Sequence, residues 1–128
     1  MSSIHSAASA LQAFSTGMQV TAHNIANMNT PEFRASSTVL AESAPPGGVY
    51  VADVQQSSTS GGYIQSLQPV ENPETGRLDT QWQTVEASNT DLAREMVDMI
   101  SWQRGYEANA VVIRTHDDMS GVLLDMVV

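Results

Sequence analysis

The longest regular hydrophobic pattern of the chain lies in its C-terminal third. Apolar or mixed residues recur there in steps of four and three, and the resulting 3.5-residue average is typical of a coiled-coil seam. The positions are Leu92, Met96, Met99, Gln103, Tyr106, Ala110 and Ile113. After these the stripe slips, and it continues best through His116, Met119, Leu123 and Met126. At 1.5 Å per residue such a helix would extend for about 57 Å, so it needs a partner along its length.

A cluster of capping residues marks the start of this helix. Ser88, Asn89 and Thr90 each offer a side-chain oxygen to the unpaired amides of a first helical turn. Asp91 adds a negative charge at the positive end of the helix dipole. We therefore predict a C-terminal helix over residues 88–128.

A second heptad pattern occupies the N-terminal end. It consists of Ile4, Leu11, Met18 and Ile25, with Ala7, Phe14, Thr21 and Met28 three residues after each. The first 31 residues contain no Asp, Glu, Lys or Arg, although an exposed helix normally carries charges on its outer face. This predicts a helix over residues 1–31 that is buried among several helices. The alternative is an amphipathic helix that closes one ordinary core. Pro31 should end the helix, because proline disfavours helical conformation in the preceding residue.

The large apolar side chains of this N-terminal helix are too few to stabilise it alone. Full burial of such a side chain contributes about 1.5–3 kcal/mol, whereas ordering one backbone position costs roughly 1–2 kcal/mol before hydrogen bonding and packing offset it. A single partner helix could not bury all of these side chains completely. We therefore predict that the N-terminal segment is frayed or disordered in the free monomer and becomes ordered on assembly.

The middle of the chain, residues 32–87, is divided by turn-forming residues. The punctuation is Pro45-Pro46-Gly47-Gly48, then Gly61-Gly62, then Asn72-Pro73 with Gly76. Between these lie three runs with strand character, Val49–Val54, Tyr63–Gln68 and Leu78–Val85. The pattern predicts a small set of antiparallel strands or extended ribbons between the two long helices, and therefore an α+β fold.

Composition and charge restrict the possible functions. The chain has 128 residues and a net charge of −9, with five arginines and no lysine, so binding to nucleic acid is disfavoured. No run approaches the roughly 18 apolar residues of a membrane-spanning helix. The N-terminus lacks the basic and continuous apolar regions of a cleavable signal peptide. Cysteine is absent, so we expect no disulfide scaffold and no thiolate chemistry.

The sequence gives little support to catalysis. The only dense cluster of candidate metal ligands is His116-Asp117-Asp118, and consecutive helical residues point about 100° apart rather than toward one ion. The i, i+4 spacing of helical zinc sites is absent, as are the common nucleophile and phosphate-binding motifs. We expect no enzyme activity, no cofactor, no metal and no small-molecule substrate. A metal-dependent enzyme that uses His116 and the neighbouring aspartates is kept as an alternative hypothesis.

Polar residues and methionines within the stripe have a structural interpretation. Gln103 and Asn109 are interpreted as residues that fix helix register, with Tyr106 packing beside them. The methionines of the stripe are interpreted as core residues, because methionine adapts to several inequivalent neighbours. They are Met96, Met99, Met119 and Met126.

Both ends of the chain carry motifs of a known family. The N-terminal one is Asn24-Ile25-Ala26-Asn27, followed by Asn29-Thr30 and Phe33-Arg34. The C-terminal one comprises Ser88-Asn89-x-Asp91-Leu92, Glu95-Met96, Met99-Ile100, Gln103-Arg104-x-Tyr106, Ala108-Asn109 and Met119. Together they resemble the N-terminal and the C-terminal motifs of bacterial flagellar rod and hook proteins. The chain departs from the family at His23, where asparagine is usual, at the turn Pro31-Glu32, and at Val111, where lysine is frequent.

The resemblance implies a structural subunit of the flagellar basal-body rod. Its terminal helices would pair as an antiparallel coiled coil, and residues 32–87 would form an outer layer that touches neighbouring subunits. It would be exported by the flagellar apparatus without a cleavable signal peptide and assemble with like and unlike rod subunits into a tube. That tube transmits torque and leaves an export channel. The short chain is most similar to the proximal rod proteins of the C type. The alternative is a secreted helical-hairpin adaptor or effector with one dedicated partner.

The resemblance and the heptads together give a set of expected assembly residues. The expected interface comprises Ile4, Leu11, Phe14, Met18, Ile25, Leu92, Met96, Met99, Gln103, Tyr106, Asn109, Ile113, Met119 and Leu123. The expected family-motif positions are Asn24, Ile25, Ala26, Asn27, Thr30, Ser88, Asn89, Asp91 and Arg104. No metal ligand and no catalytic residue is expected among them. The expected partners are other rod subunits and the flagellar export apparatus, with no nucleic acid, no membrane insertion and no small-molecule substrate.

Overall fold

The computed structural model describes residues 2–45 and 47–127, apart from the side chain of Ser2. The elements are α1 (Ser2–Ala26), β1 (Ser36–Glu42), β2 (Val49–Gln56), β3 (Tyr63–Glu71), β4 (Leu78–Glu86) and α2 (Leu92–Val127). The strands form two separate antiparallel hairpins, β1–β2 and β3–β4. The α+β class is confirmed. Met1, Pro46 and Val128, which belong to the predicted ranges, lie outside the described residues.

The first helix ends at Ala26, earlier than the predicted stop at Pro31. Asn27 accounts for the difference, because its side-chain amide donates to the carbonyl oxygen of His23 at 2.9 Å and its side-chain oxygen accepts from Thr30 at 3.1 Å. These bonds offer the backbone an alternative to helical continuation. The chain then turns through Glu32, whose φ of 61° lies in the left-handed region.

The second helix is capped by Asp91 alone. Its side-chain oxygen accepts the backbone N–H groups of Ala93 at 3.0 Å and Arg94 at 3.4 Å. Ser88 instead donates to the hydroxyl of Thr90 at 2.8 Å. The prediction that Ser88, Asn89 and Thr90 would cap the helix is therefore wrong.

The two helices pack antiparallel through reciprocal contacts between glycines and aromatic rings. A Cβ atom added to Gly17 would lie 2.7 Å from the ring of Trp102, and one added to Gly105 would lie 2.9 Å from the ring of Phe14. The two rings are themselves in contact, with centroids 5.8 Å apart. Three residues forward along α1, from Phe14 to Gly17, thus correspond to three residues backward along α2, from Gly105 to Trp102, which is the register of an antiparallel pair. Each ring occupies the space that the opposite glycine leaves.

The centre of this helix contact consists of small residues, which corrects the predicted seam. The buried positions of α1 are Ala7, Ala10, Ala13, Gly17, Thr21 and Asn24. The large apolar residues of the predicted heptad lie beside this line and are only half-buried: Ile4, Leu11, Phe14, Met18 and Ile25. Small residues at these positions allow the two backbones to approach closely, and the ring of Trp102 packs onto Gly17.

The contact face of α2 is also displaced from the predicted stripe. Its buried or half-buried residues are Glu95, Met99, Trp102, Gly105, Asn109, Ala110, Ile113, His116 and Ser120. The stripe residues that are exposed are Leu92, Met96, Gln103, Tyr106, Met119, Leu123 and Met126. Within this chain, the interpretation of the methionines as core therefore fails for Met96, Met119 and Met126. Because α2 is apolar on several sides, its hydrophobic periodicity does not identify the side that faces α1.

The β1–β2 hairpin lies along α1 and is fixed at both ends. At its base, Asn24 hydrogen-bonds the backbone of Ser36. At its tip, the N–H of Val49 donates to the hydroxyl of Ser9 at 3.1 Å. The helix between Ser9 and Asn24 rises about 22 Å and β1 extends about 20 Å, so the two lengths match. Gly48, with φ of 137°, permits the close approach, since a Cβ atom there would meet the Ser9 hydroxyl at 2.5 Å.

The β3–β4 hairpin projects from the rest of the molecule, and we refer to it as the arm. It packs against no other helix or strand of residues 2–45 and 47–127. Its strands pair without a register shift from Tyr63 opposite Glu86 to Glu71 opposite Leu78. The predicted strand starts at Val49, Tyr63 and Leu78 are confirmed, whereas β1 is absent from the sequence prediction because Ser36–Glu42 is largely small and polar.

Glu95 brings a carboxyl group into the helix contact near the base of the β1–β2 hairpin. It retains only 9% of its exposure. Burial raises the pKa of the Glu95 carboxyl above its ordinary value, a hydrogen bond from the Asn24 side chain partly opposes this, and the nearby Asp98 adds to the rise. The protonated form is therefore favoured by folding, so the contribution of Glu95 to stability is present at low pH and is lost as pH rises through its folded pKa.

The glycine–aromatic contacts predict opposite effects for two helical glycine substitutions. Gly121 has no atom within 4 Å of an added Cβ, so Gly121→Ala should stabilise the chain by about 0.5–1 kcal/mol through helix propensity. Gly17→Ala should instead destabilise it by about 1–3 kcal/mol through overpacking against Trp102. Urea unfolding followed by circular dichroism measures both. Equal stabilisation by the two substitutions would contradict the packing.

The burial of Glu95 predicts a pH effect that Glu95→Gln removes. From the ordinary pKa of 4.5 upward, the unmodified chain should lose stability relative to the Gln variant, because only the native carboxyl must ionise in a buried place. Unfolding free energies measured from about pH 4 to pH 8 test this, with Glu74→Gln in an exposed turn as the control. A difference in unfolding free energy between the chain and Glu95→Gln that does not change with pH would contradict the raised pKa of Glu95.

Candidate functional site

Residues 32–36, 57–62 and 86–91 meet where the helix pair, the β1–β2 hairpin and the arm come together. We call this region the junction. Most of the bonds that cross it run from a polar side chain to a backbone group. Since backbone groups need partners wherever they are shielded from water, the side chains that supply them determine how the parts are oriented.

Asn24 joins α1 to the start of β1. Its side-chain nitrogen donates to the carbonyl oxygen of Ser36 at 2.7 Å, and its side-chain oxygen accepts the N–H of Ser36 at 2.9 Å. The side-chain amide of Asn24 therefore pairs with both backbone groups of Ser36, as the backbone of a neighbouring strand would. Asn24 is 1% exposed and also bonds Glu95 of α2. One buried amide thus holds three elements together.

Asn89 makes the equivalent connection from the other side. Its side-chain oxygen accepts the N–H of Ala35 at 2.7 Å, and its side-chain nitrogen donates to the carbonyl oxygen of Thr59 at 2.7 Å. Its own N–H donates to the carbonyl oxygen of Phe33 at 3.4 Å. The residue expected to cap α2 therefore ties the entry of α2 to β1 and to the loop between the hairpins.

Glu86 and Arg34 form the third connection. The Arg34 guanidinium donates to the Glu86 carboxylate at 3.2 Å and to the carbonyl oxygen of Ser58 at 2.8 Å. The same carboxylate oxygen accepts the N–H of Gly61 at 3.0 Å. The backbone of Glu86 accepts the N–H of Glu32 at 2.8 Å. The arm is thereby attached at its root by both the side chain and the backbone of one residue.

A polar cavity of about 530 Å³ lies between the β1–β2 hairpin and the first turns of α2. Its charged lining residues are Asp91, Arg94, Glu95 and Asp98, and hydroxyl and amide groups form most of the rest. Among the described residues, no group of three or more His, Cys, Asp or Glu could hold a metal ion. His116, the centre of the suggested metal cluster, contacts the Ser120 hydroxyl through Nδ1 at 3.4 Å. The arrangement orients chain segments and presents no catalytic constellation.

The structure separates the expected motif residues into two groups. Asn24, Asn89 and Asp91 act at the junction, and Ser88 lies within it. The side chains of Asn27 and Thr30 shape the turn that leads to it, immediately after Ile25 and Ala26. Arg104, by contrast, is exposed on α2 and makes only a 3.7 Å ion pair with Glu107.

The polar residues expected to fix register act within α2 rather than across the helix pair. Gln103 donates to the Glu107 carboxylate at 2.9 Å. Asn109 donates to the carbonyl oxygen of Gly105 at 2.8 Å. Neither bond reaches α1, so within this chain the register depends on the glycine–aromatic contacts instead.

Sequence reasoning did not identify four residues that matter here, which are Gly17, Glu86, Trp102 and Gly105, and it identified Gly61 only as part of a turn. A signal for three of them was present, because Phe14-x-x-Gly17 and Trp102-x-x-Gly105 carry an aromatic residue and a glycine at the same spacing. In an antiparallel pair that spacing brings each ring onto the other glycine. Gly61 and Glu86 carried no comparable signal, since their contacts depend on the path of the loop.

Comparison with known proteins identifies relatives of both ends of the chain. A family profile described as "Flagella basal body rod protein" matches residues 4–34. A second, described as "Flagellar basal body rod FlgEFG protein C-terminal", matches residues 82–126. The two matches contain the junction except Ala35, Ser36 and the loop of residues 57–62. No described helix is long and apolar enough to cross a membrane.

Relatives with curated names belong to the rod and the hook of the flagellum. The flagellar basal-body rod protein FlgC of Escherichia coli O6:H1 is 34% identical over 123 residues, which cover 88% of this chain and 87% of the relative. The flagellar hook protein FlgE of Escherichia coli K12 is 45% identical over 42 residues, or 33% of this chain. The hook protein FlgE of Brucella suis is 44% identical over 43 residues. The aligned stretch spans only 10% and 11% of these two hook proteins.

The rod relative covers almost the whole chain, including both hairpins, and both terminal profiles occur in the order expected of one subunit. These relatives are structural proteins, and they give no support to the adaptor or enzyme alternatives. The chain belongs to the flagellar basal-body rod protein family, with FlgC-type rod proteins as full-length relatives, and is a structural subunit rather than an enzyme.

Proposed function

We propose that this chain assembles through the uncovered sides of α2 with neighbouring axial subunits, in a tubular rod that transmits torque and leaves an export channel. The observation that carries the proposal is an apolar row on the side of α2 that faces away from α1. Val97, Ile100, Val111 and Val122 lie there, and each is between 56% and 61% exposed. The exposed Arg104 and Asp118 lie between them on the same side. In an isolated helix pair, the outer side of a helix is expected to carry polar and charged residues instead of such a row.

The expected interface residues support the same proposal. Leu92, Met96, Tyr106, Met119 and Leu123 are exposed on sides of α2 that α1 does not cover. Full burial of each large apolar side chain by a neighbouring subunit would contribute about 1.5–3 kcal/mol. Several such contacts per subunit would offset the cost of ordering and association that each subunit meets on joining.

The helix pair itself has the geometry from which an antiparallel coiled coil could be extended. Asn24 bonds Glu95 seven residues beyond the Gly17–Trp102 contact on each helix, so the register is kept over a full heptad. Continued at the same register, α1 begins opposite about Asp117, near the start of the last third of α2. The remaining turns of α2, from about Asp117 to Val127, then have no α1 residue beside them. We propose that neighbouring subunits cover this end.

The net charge of −9 constrains how such subunits meet. Like-charged copies repel at long range, so the contacts between them should be short-range and apolar. Heterologous contacts that do not close on themselves generate helical filaments. We propose contacts with both like and unlike rod subunits, residues 1–31 and 88–128 forming the axial core and residues 32–87 the outer layer. Export through the flagellar apparatus without a cleavable signal peptide belongs to the same proposal.

A charge introduced at Met119 tests the proposed assembly. Met119 is 56% exposed in the free chain, so Met119→Asp should leave the monomer folded. In the rod the same charge would be buried without a partner, and we expect loss of motility and of rods in basal bodies isolated from cells that carry only this variant. Met119→Leu is the matched control and should support normal swimming. Normal swimming by the Asp variant, with intact rods, would exclude this contact.

The predicted disorder of the free N-terminal segment has a separate test. In dilute monomer, amide hydrogens of residues 1–31 should exchange with solvent at least a hundredfold faster than those of Met99 to Ile113, and they should become protected in assembled rods. Hydrogen exchange with mass spectrometry measures both states. Equal protection of the two regions in the monomer would show that α1 is already stable before assembly.

A further inference from the structure

The arm is held to the rest of the chain at one place. Beyond its root it packs against no other described helix or strand. At the root, the N–H of Ala87 donates to the carbonyl oxygen of Gly62 at 2.6 Å, which closes the hairpin but does not orient it. The backbone bond from Glu32 to Glu86 does cross from the body to the arm. A single bond of this kind permits rotation about its own axis.

The side chain of Glu86 supplies the missing restraints. Its Oε1 atom accepts from Gly61 on the loop that enters the arm and from Arg34 on the segment that enters β1. These two donors lie on different segments. Together with the backbone bond they therefore fix the direction of the arm, which the backbone bond alone would leave free to rotate. The Glu86 side chain is 21% exposed, which limits its competition with water.

Gly61 makes this arrangement specific. A Cβ atom at this position would collide with the carbonyl oxygen of Ala87, so only glycine brings the backbone N–H this close to the Glu86 carboxylate. Arg34 is in turn held by its second bond, to the carbonyl oxygen of Ser58. The acceptor and both of its donors are therefore fixed by further contacts of their own.

Direction matters because the arm is long. Nine paired residues extend about 30 Å, so an angular freedom of about 10° at the root displaces the tip by about 5 Å. The arm also exposes a large apolar face, on which Leu67 lies directly opposite Trp82 and both are at least 50% exposed. A subunit whose arm points in many directions would present that face in many places.

We propose that Glu86 is the positioning residue of the arm, and that its carboxylate fixes the direction of the arm relative to the β1–β2 hairpin before the subunit assembles. The consequence for the rod rests on the proposed function, whereas the orientation of the arm in the free chain does not. Loss of the carboxylate leaves both hairpins paired and releases only the angle between them.

The absence of native cysteine allows the angle to be measured directly. Spin labels at Ala52→Cys on β2 and Thr80→Cys on β4, both exposed positions, report the distance between the hairpins by double electron–electron resonance. We expect a narrow distribution in the parent chain and a distribution at least twice as wide in Glu86→Ala. Glu86→Gln, which keeps an acceptor for Gly61, should fall between them. Glu71→Ala, at the far end of the arm, is the control and should leave the width unchanged.

One result would overturn the positioning role: a distance distribution in Glu86→Ala that is no wider than that of the parent chain. Swimming of cells that carry each variant separates this inference from the proposed function. A wide distribution accompanied by an at least tenfold smaller motile fraction supports it. A wide distribution with normal swimming shows that the rod does not need a fixed arm. That result would refute the consequence for assembly without affecting the result expected for Met119→Asp.

Discussion

The buried amide of Asn24 is the interaction on which the rest of the structure depends. It satisfies both backbone groups of Ser36 and also bonds Glu95, so that α1, β1 and α2 share one polar contact. An apolar side chain there would leave buried donors and acceptors unpaired, which costs about 1–3 kcal/mol for each group. Hydrogen bonds require defined distances and angles. The contact therefore sets where β1 begins, and through Ser36 it aligns the hairpin along α1.

The small residues of α1 follow from this alignment. With β1 and β2 along one side of the helix and α2 along another, α1 is the middle layer, and a charge on either covered side would be buried. This explains why the covered sides of the helix have no charged residue. Exposed positions such as Gln12, Gln19 and Ala22 are uncharged as well, as burial among several helices would require. Its buried apolar side chains among the described residues are those of Ala7, Ala10 and Ala13. Close approach of the backbones replaces the interdigitation of large side chains at these positions.

Much of this architecture could be predicted from the sequence, but the sides of the helices could not. Proline and glycine punctuation identifies Val49, Tyr63 and Leu78 as strand starts because turns depend on local conformation. Heptads identify two long helices because periodicity is also local. Which side of α2 faces α1 is decided by a ring and a glycine on different helices, Trp102 and Gly17. The hydrophobic periodicity of either helix alone does not contain that information, and the shared aromatic–glycine spacing becomes a signal only when the two helices are compared. The junction was found only in part, since Asn24 and Asn89 belong to recognisable motifs whereas Glu86 acts through a loop.

Polar and apolar groups have different roles: polar contacts set the shape of the single chain, whereas exposed apolar side chains are available for the proposed assembly. Contacts inside the chain use amides, hydroxyls, one buried carboxyl and small residues, whereas most large apolar side chains of α2 and of the arm are exposed. Directional bonds can define the shape of a subunit that has little core. Apolar contacts are weakly directional and scale with the area removed from water, which suits contacts between subunits that meet in inequivalent environments. Directional bonds therefore set the shape of the folded subunit, and assembly supplies most of its stability, including the predicted ordering of residues 1–31.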